Sequence, residues 1–187
     1  TTIRTRPFSK VPAPDAVPHS IFVTAIDSRP HAPNPALVIN EQSDQFLAGL
    51  DVLSRLTAGP VFLCAGKGAD LPASNNPKVH LEDFAGPHPS GLAGTHIHFL
   101  DPVSMDKSVW IVGYQDVIAI GHLFKTGGLY LDRVVSLAGP SVASPRLIRT
   151  RAGASTDDLT SGELIESSEA ENRVISGSVL DGRAANP

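Results

Sequence analysis

Apolar residues in the first two thirds of the chain form short continuous runs separated by longer periodic segments. Residues 21–26 and 61–64 are runs of β-favouring side chains that end at turn signals, which is typical of buried strands. Between them, apolar residues recur every three or four positions over residues 37–56, which predicts one long amphipathic helix that stops at Gly59 and Pro60. Strand, helix and strand in this order predict a parallel βαβ unit.

The alternation of predicted strands and helices continues as far as residue 128. Residues 78–82 alternate polar and apolar positions, as an edge strand does, and residues 108–112 form another apolar run. We expect a short helix within residues 89–100, and a further helix over residues 115–124 that ends at the glycine pair following Thr126. Residues 20–128 are therefore predicted to be an α/β domain.

The pattern changes character after this point. Residues 133–137 and 146–151 predict a hairpin around a Gly-Pro turn, and Ser155 is a candidate N-cap for a short helix. Residues 173–177 predict one more strand. Two strands, a helix and a later strand are the order of a β-grasp module, which we assign to residues 129–187. The proline-rich residues 1–19 show no periodicity and predict an extended arm.

Composition excludes several classes of function. Fifteen basic against nineteen acidic residues give a net charge of -4, which disfavours nucleic-acid binding. No apolar stretch reaches the roughly 20 residues of a membrane span. Cys64 is the single cysteine, so no internal disulfide is possible and a reducing compartment, the cytoplasm, is expected. Because the chain starts at Thr1 and ends in a polar string before Pro187, we interpret it as an internal fragment.

The first strand-to-helix turn argues against a bound dinucleotide. A phosphate cradle needs glycines at this position, where the backbone approaches the pyrophosphate. Residues 27–31 contain none, and Pro30 also lacks an N–H donor. Gly66-Lys67-Gly68 follows the second strand, but Leu71-Pro72 comes next in place of an amphipathic helix.

Other candidate chemistry has an ordinary structural alternative. His96 and His98 would share a face on a strand and, with His88, suggest a zinc site, but they would diverge on a helix; structural histidines are the favoured interpretation. Cys64 lies in an apolar run, which favours a core residue over a nucleophile, and the Gly-x-Ser-x-Gly motif is absent. Paired carboxylates such as Asp157 and Asp158 are adjacent, so they point apart.

The arm combines cations with an aromatic side chain. Arg4, Arg6, Phe8 and Lys10 could bind an acidic partner surface or the polar head of an aromatic ligand. The alternative is a solvated linker.

Several strings of the chain carry a resemblance to a known family; they are RTRPFSKVP (4–12), GPHP (86–89), GLAGTHIHFL (91–100), YQDVIA (114–119), DRVVSLAGP (132–140), PRL (145–147) and RT (149–150). They resemble the NqrA family, which supplies one subunit of the bacterial sodium-translocating NADH:quinone oxidoreductase. The resemblance covers nearly the whole chain. It implies a Rossmann-like domain followed by a β-grasp module of the SLBB type, similar to those of the flavin-binding subunit of respiratory complex I.

The same resemblance implies a function. The protein is expected on the cytoplasmic face of the bacterial inner membrane, bound to the other subunits of a complex that oxidises NADH, reduces ubiquinone and exports sodium. FMN, FAD, riboflavin and the iron–sulfur centre are expected in those other subunits, with no catalytic, cofactor or metal site in this chain. Family knowledge associates ubiquinone, or inhibitors of its reduction, with the stretch that matches residues 3–10, which makes Arg4, Arg6, Phe8 and Lys10 quinone-contact candidates.

Three hypotheses follow. The first is a cofactor-free scaffold with a quinone contact. The second is an enzyme domain that binds FMN or NADH itself, against which the glycine-free turn speaks. The third is a docking platform for neighbouring subunits, in which residues 86–100 are a packed interface loop.

Overall fold

The computed structural model describes residues 2–165 and 172–185. The chain divides into two compact units. The first unit comprises Thr1–Ser28 and Asn34–Tyr130, and the second comprises Arg29–Pro33 and Leu131–Pro187. Each is described by itself.

The first unit is built on a five-stranded sheet. Its strands are β1 (Arg4–Arg6), β2 (Ile21–Ala25), β3 (Val61–Gly66), β4 (Val79–Phe84) and β5 (Val109–Gly113). The spatial order is β1-β5-β2-β3-β4, and the neighbours are parallel except that β1 runs antiparallel to β5. The central strand β2 is buried on both faces, as its continuous apolar run predicts.

Four helices cover this sheet. They are α1 (Pro35–Glu41), α2 (Ser43–Ser54), α3 (Ala93–Leu100) and α4 (Tyr114–Thr126). The Asn34 side chain caps α1 by accepting the Ala36 N–H, and Pro35 occupies the first turn. Gly127 ends α4 with a φ of 77°, a left-handed conformation that suits glycine. The predicted short helix at 89–100 and the predicted end of the last helix are therefore confirmed.

The prediction of one helix over residues 37–56 is wrong, because the helix breaks at Gln42. This residue has a φ of -124° and its N–H donates to the Ile39 carbonyl. The apolar period runs through the break, so it could not reveal it. The two shorter helices bury Val38 and Ile39 from α1, and Phe46, Leu50 and Leu53 from α2.

Helices α2 and α4 pack together through glycine. A Cβ added at Gly121 would lie 1.8 Å from the Gln45 carbonyl oxygen, and one at Gly49 would lie 2.1 Å from the Val117 carbonyl oxygen. The two backbones are thus nearly in contact. On the opposite face of the sheet, Ile97 of α3 joins a buried cluster with Phe22, Cys64 and Val109.

The second unit holds two separate pairs of strands. Strands β6 (Asp132–Leu137) and β7 (Arg146–Arg151) form the predicted antiparallel hairpin. Ser155 caps α5 (Thr156–Thr160) as predicted, accepting the N–H groups of Asp157 and Asp158. The strand predicted at 173–177 is only β8 (Ile175–Ser176), and it pairs with β9 (Arg183–Ala184).

The first 19 residues, predicted as an arm without regular elements, contribute strand β1. Its three residues pair with β5 from Arg4 opposite Ile111 to Arg6 opposite Val109. The pairing is made by backbone groups, which a hydrophobic pattern does not report. Among the described residues no helix has the length and apolar character needed to cross a membrane.

Candidate functional site

The arm folds back on itself immediately after β1. The Thr5 N–H donates to the Lys10 carbonyl oxygen at 2.8 Å, and the Lys10 N–H donates to Thr5 Oγ1 at 3.1 Å. The Thr5 hydroxyl also donates to the Pro7 carbonyl oxygen at 3.2 Å. These bonds close a tight turn over residues 5–10.

Two residues of this turn adopt an unusual backbone conformation. Phe8 and Ser9 have φ values of 73° and 50°, in the left-handed region that non-glycine residues rarely occupy. Each such residue costs on the order of 1–2 kcal/mol. The hydrogen bonds between Thr5 and Lys10 hold the turn in this conformation, so the direction in which the Phe8 side chain leaves the backbone is fixed.

Strand pairing places the two arginines on one face of the sheet. Residues opposite each other on paired strands share a face, so Arg4 lies beside Ile111 and Arg6 beside Val109. Val109 belongs to the apolar cluster beneath α3, and Ile111 packs against it. Arg4 and Arg6 therefore flank the apolar face of the sheet that α3 covers, and both are half-buried.

Phe8 and Lys10 form a second pair at the turn. The Phe8 side chain is 65% exposed, and the Lys10 Nζ lies 5.6 Å from the centre of its ring. We call Arg4, Arg6, Phe8 and Lys10 the arm site. Its lysine places an ammonium donor near an exposed aromatic ring, and its two arginines lie on the adjoining strand β1. An exposed ring with a donor beside it can stack on a flat conjugated ring that carries acceptor oxygens.

The carboxyl end of β2 has a different arrangement from a phosphate cradle. The Ser28 hydroxyl oxygen accepts the Gly91 N–H at 2.8 Å and lies 3.1 Å from Nδ1 of His88. A Cβ added at Gly91 would lie 2.3 Å from the Ser28 nitrogen, so only glycine permits this approach. The segment that precedes α3 thus packs onto the turn after β2, and the Gly91 N–H is already used.

The histidine pair diverges because it lies on helix α3. His96 is fully buried, its Nε2 lies 2.8 Å from the Ser90 carbonyl oxygen, and its ring packs 4.2 Å from that of Phe84. Burial lowers the pKa of His96, outweighing the opposite effect of the bond to Ser90. His98 is exposed and lies edge-on to Phe99. No group of three metal-binding side chains occurs within residues 2–165 and 172–185.

Cys64 is a core residue of β3. Burial raises the pKa of its thiol strongly, and the carboxylate of Glu82 on β4 raises it further. The uncharged thiol is a poor nucleophile.

One polar cluster was missed by the sequence analysis. Asp101, buried at the end of α3, accepts hydrogen bonds from the Ser20 hydroxyl at 2.6 Å and from Lys107, and its Oδ2 lies 2.8 Å from Nδ1 of His19. Burial alone would raise the pKa of Asp101, but the bonds from Lys107, Ser20 and His19 together hold it below its ordinary value. The partners at 19 and 20 are about 80 positions away in sequence, so no spacing could have indicated them.

Comparison with known proteins identifies the kind of chain that carries these features. A family model described as the NqrA second alpha/beta domain matches residues 1–129, and one described as the NQRA C-terminal domain, of the SLBB type, matches residues 134–186. Both units therefore correspond to parts of one kind of protein. The chain belongs to the NqrA family.

The relatives give the family its full name. The A subunit of the Na(+)-translocating NADH-quinone reductase of Histophilus somni (strain 129Pt) is 59% identical over 185 residues, which cover 99% of this chain and 41% of the relative. The proteins of the same name from Marinomonas sp. (strain MWYL1) and Pseudomonas aeruginosa (strain UCBPP-PA14) are each 58% identical, over 99% and 100% of this chain and 40% and 41% of their own lengths. The chain thus spans about 41% of the length of the curated relatives it matches.

Proposed function

We propose that this chain is part of a peripheral subunit, on the cytoplasmic face of the bacterial inner membrane, of a complex that oxidises NADH, reduces ubiquinone and exports sodium. Within that complex it is a cofactor-free scaffold, and its arm site contacts the quinone. Its partners are the other subunits, which carry the flavins and the iron–sulfur centre. The names of the relatives and the matches over both units support this proposal.

The strand order supports a Rossmann-like classification of the first unit. Its four parallel strands lie in the order β5-β2-β3-β4 with helices on both faces. Counted in chain order, this is the 3-2-1-4 part of the strand order of a dinucleotide-binding fold. The hairpin β6–β7 followed by α5 supports the β-grasp assignment of the second unit.

The observation that carries the quinone contact is the fixed, exposed Phe8 ring beside a cation. A quinone head presents a flat face and two carbonyl oxygens that accept hydrogen bonds. Phe8 offers a surface for stacking, and Lys10 and the two arginines offer hydrogen-bond donors. The apolar cluster beside Val109 and Ile111 suits the hydrophobic part of such a ligand.

The scaffold role is supported by the turn after β2. Residues 27–31 contain no glycine, and the Gly91 N–H that faces this turn is bonded to Ser28. An FMN or NADH phosphate would therefore find neither the open backbone nor the free donors that it needs.

A docking role for neighbouring subunits is favoured by two exposed phenylalanines. Phe99 on α3 and Phe124 on α4 are 71% and 69% exposed on helices that lie on opposite faces of the sheet. Aromatic side chains of this kind are enriched at protein interfaces.

Quenching of tryptophan fluorescence tests the quinone contact. Trp110 is the single tryptophan and lies opposite Thr5 in the β1–β5 pairing, so its emission reports on the arm. A short-chain soluble ubiquinone is expected to quench it saturably, and Phe8→Ala should weaken the binding about tenfold through the loss of ring stacking. The matched control is Phe124→Ala, which removes an equally exposed ring from α4.

Two outcomes would contradict the proposal. Equal losses of quinone affinity in Phe8→Ala and Phe124→Ala would mean that the quinone adsorbs without a specific site. If the quinone does not quench the fluorescence saturably at all, the proposed quinone contact is wrong. Saturation-transfer NMR with FMN and NADH in the same sample tests the hypothesis that the chain is an enzyme domain. Saturation transfer to either cofactor would overturn the scaffold role.

A further inference from the structure

The described residues of the second unit form no extended buried core. Among its described residues, Val142 is the one hydrophobic side chain that is buried, at 9% exposure. Large apolar side chains are exposed in the same part of the chain; they are Leu131, Leu147, Ile165, Val179 and Leu180. We call these five residues the open apolar surface of the second unit.

The hairpin itself is apolar on both faces. Val135 and Ile148 lie opposite each other on one face, whereas Val134 and Leu147 belong to the other. Consecutive apolar residues such as Val134 and Val135 are typical of strands that are covered on both sides. Yet no described side chain of β6 or β7 is fully buried.

The polar contacts of this unit do not replace a core. Arg146 makes two hydrogen bonds to the Glu163 carboxylate, and Arg29 pairs with Asp181, all at largely exposed positions. Exposed ion pairs contribute little to stability. An isolated two-stranded sheet is marginal in water, and the described residues of this unit form two of them that are not joined. The exposed apolar side chains of the unit could therefore be buried by a further apolar surface.

We propose that another segment of the same protein, outside these 187 residues, docks on the open apolar surface and completes the core of the second unit. The relatives are well over twice as long as the matched region, so chain of sufficient length is present in them. A segment that is covalently attached acts at a high effective concentration, so it docks more readily than a separate molecule with equal contacts. Seven arginines against eight carboxylates leave the unit with a net charge near -1, which gives a strongly charged partner no electrostatic advantage.

Amide hydrogen exchange measured by mass spectrometry tests this proposal. The 187-residue chain is compared with a protein of the full length of its relatives, both alone in solution. The amides of β6 and β7 are expected to exchange at least about tenfold more slowly in the longer chain, because docking suppresses the local unfolding through which they exchange. The amides of β2 and β3, which already lie in a core, should be equally protected in both.

A pair of matched variants identifies the surface. Leu180 in the second unit and Leu81 in the first are each 57% exposed. Leu180→Ser should speed amide exchange of the β6–β7 hairpin in the longer chain and leave it unchanged in the 187-residue chain. Leu81→Ser should leave hairpin exchange unchanged in both chains.

Three results would overturn the proposal. Equal hairpin exchange in both chains would show that the missing segments do not cover the unit. Protection that rises with protein concentration would assign the surface to a second copy. Protection that appears only when other subunits are added would make it an intersubunit surface. The proposal does not depend on the quinone contact, and none of these measurements requires a quinone.

Discussion

The two units differ in how their apolar residues are used. In the first unit, strands β2, β3 and β5 and helices α1, α2 and α4 bury side chains completely, among them Phe22, Phe46 and Leu50. In the second, the described residues bury one hydrophobic side chain, Val142, which keeps 9% exposure. A hydrophobic pattern in the sequence therefore predicts where side chains prefer to be buried, but it does not say which part of the chain buries them.

The largest effect is expected where α2 and α4 touch. Gly121→Ala forces a methyl group against the Gln45 backbone, which must move. We expect the free energy of unfolding to fall by about 3 kcal/mol or more. Urea denaturation followed by Trp110 fluorescence measures it. Gly94→Ala on α3 is the control, since nothing lies within 4 Å of its added Cβ, and it should stabilise the protein by up to about 1 kcal/mol. Similar losses of stability in Gly121→Ala and Gly94→Ala would contradict a close contact between α2 and α4.

Truncation of leucine tests the contrast between the units directly. Leu50→Ala empties a fully buried site and should lower the free energy of unfolding by about 3 kcal/mol. Leu180→Ala in the 187-residue chain should change it by less than about 0.5 kcal/mol, because the side chain is already exposed. Denaturation of both variants gives the comparison, and a large loss in Leu180→Ala would mean that the second unit has a core in this chain.

The Asp101 cluster links acid stability to the first unit. Asp101→Asn should cost about 2 kcal/mol at pH 7, since Lys107 loses the carboxylate it pairs with and Ser20 loses a charged hydrogen-bond acceptor. The pKa of Asp101 is lowered on folding, so its carboxylate stabilises the fold above its ordinary pKa of about 3.8, and this stabilisation is lost as the pH falls through the lowered value.

Denaturation curves between pH 7 and pH 2.5 test this dependence. The difference between the wild-type chain and Asp101→Asn should shrink below pH 4, whereas Asp106→Asn, an exposed neighbour, should match the wild type throughout. If the difference in the free energy of unfolding between the two stays constant with pH, the Asp101 cluster does not contribute to acid unfolding.

The smallest effect concerns His96. Its pKa is lowered on folding, so the unfolded chain takes up a proton first as the pH falls below 6.5. Stability is therefore full above that pH and should decline as the pH falls from 7 to 5.5, by no more than about 1.4 kcal/mol per pH unit. His96→Phe should remove this slope, and His98→Phe, on the exposed side of α3, should keep it. Thermal unfolding at several pH values decides between them.

Much of the fold of the first unit was predictable because its signals are local. Strands β2 and β3 are short apolar runs, and α4 ends at Gly127, a strong stop residue, whereas α2 already ends at Ser54, before the predicted stop at Gly59. The break at Gln42 and strand β1 were not predictable, because each depends on backbone hydrogen bonds that no side-chain pattern announces.

The candidate site shows the same limit. The sequence made Arg4, Arg6, Phe8 and Lys10 candidates for one site, but it could not predict the left-handed backbone of Phe8, which depends on bonds between Thr5 and Lys10. The Asp101 cluster is invisible in sequence, since its members meet only when α3 and the starts of β2 and β5 are assembled.

The pairing of β1 with β5 determines when the arm site can form during synthesis of the chain. Arg4 lies opposite Ile111, so more than 100 residues separate the partners. A ribosome adds roughly 5–20 residues per second, so a newly made arm waits on the order of ten seconds before its partner strand exists. Contacts that close so long a loop form late and slowly. The β1 edge of the sheet, which leads into the Phe8 turn, is therefore among the last parts of the first unit to be completed, and a chain interrupted before residue 109 lacks the strand with which the arm pairs.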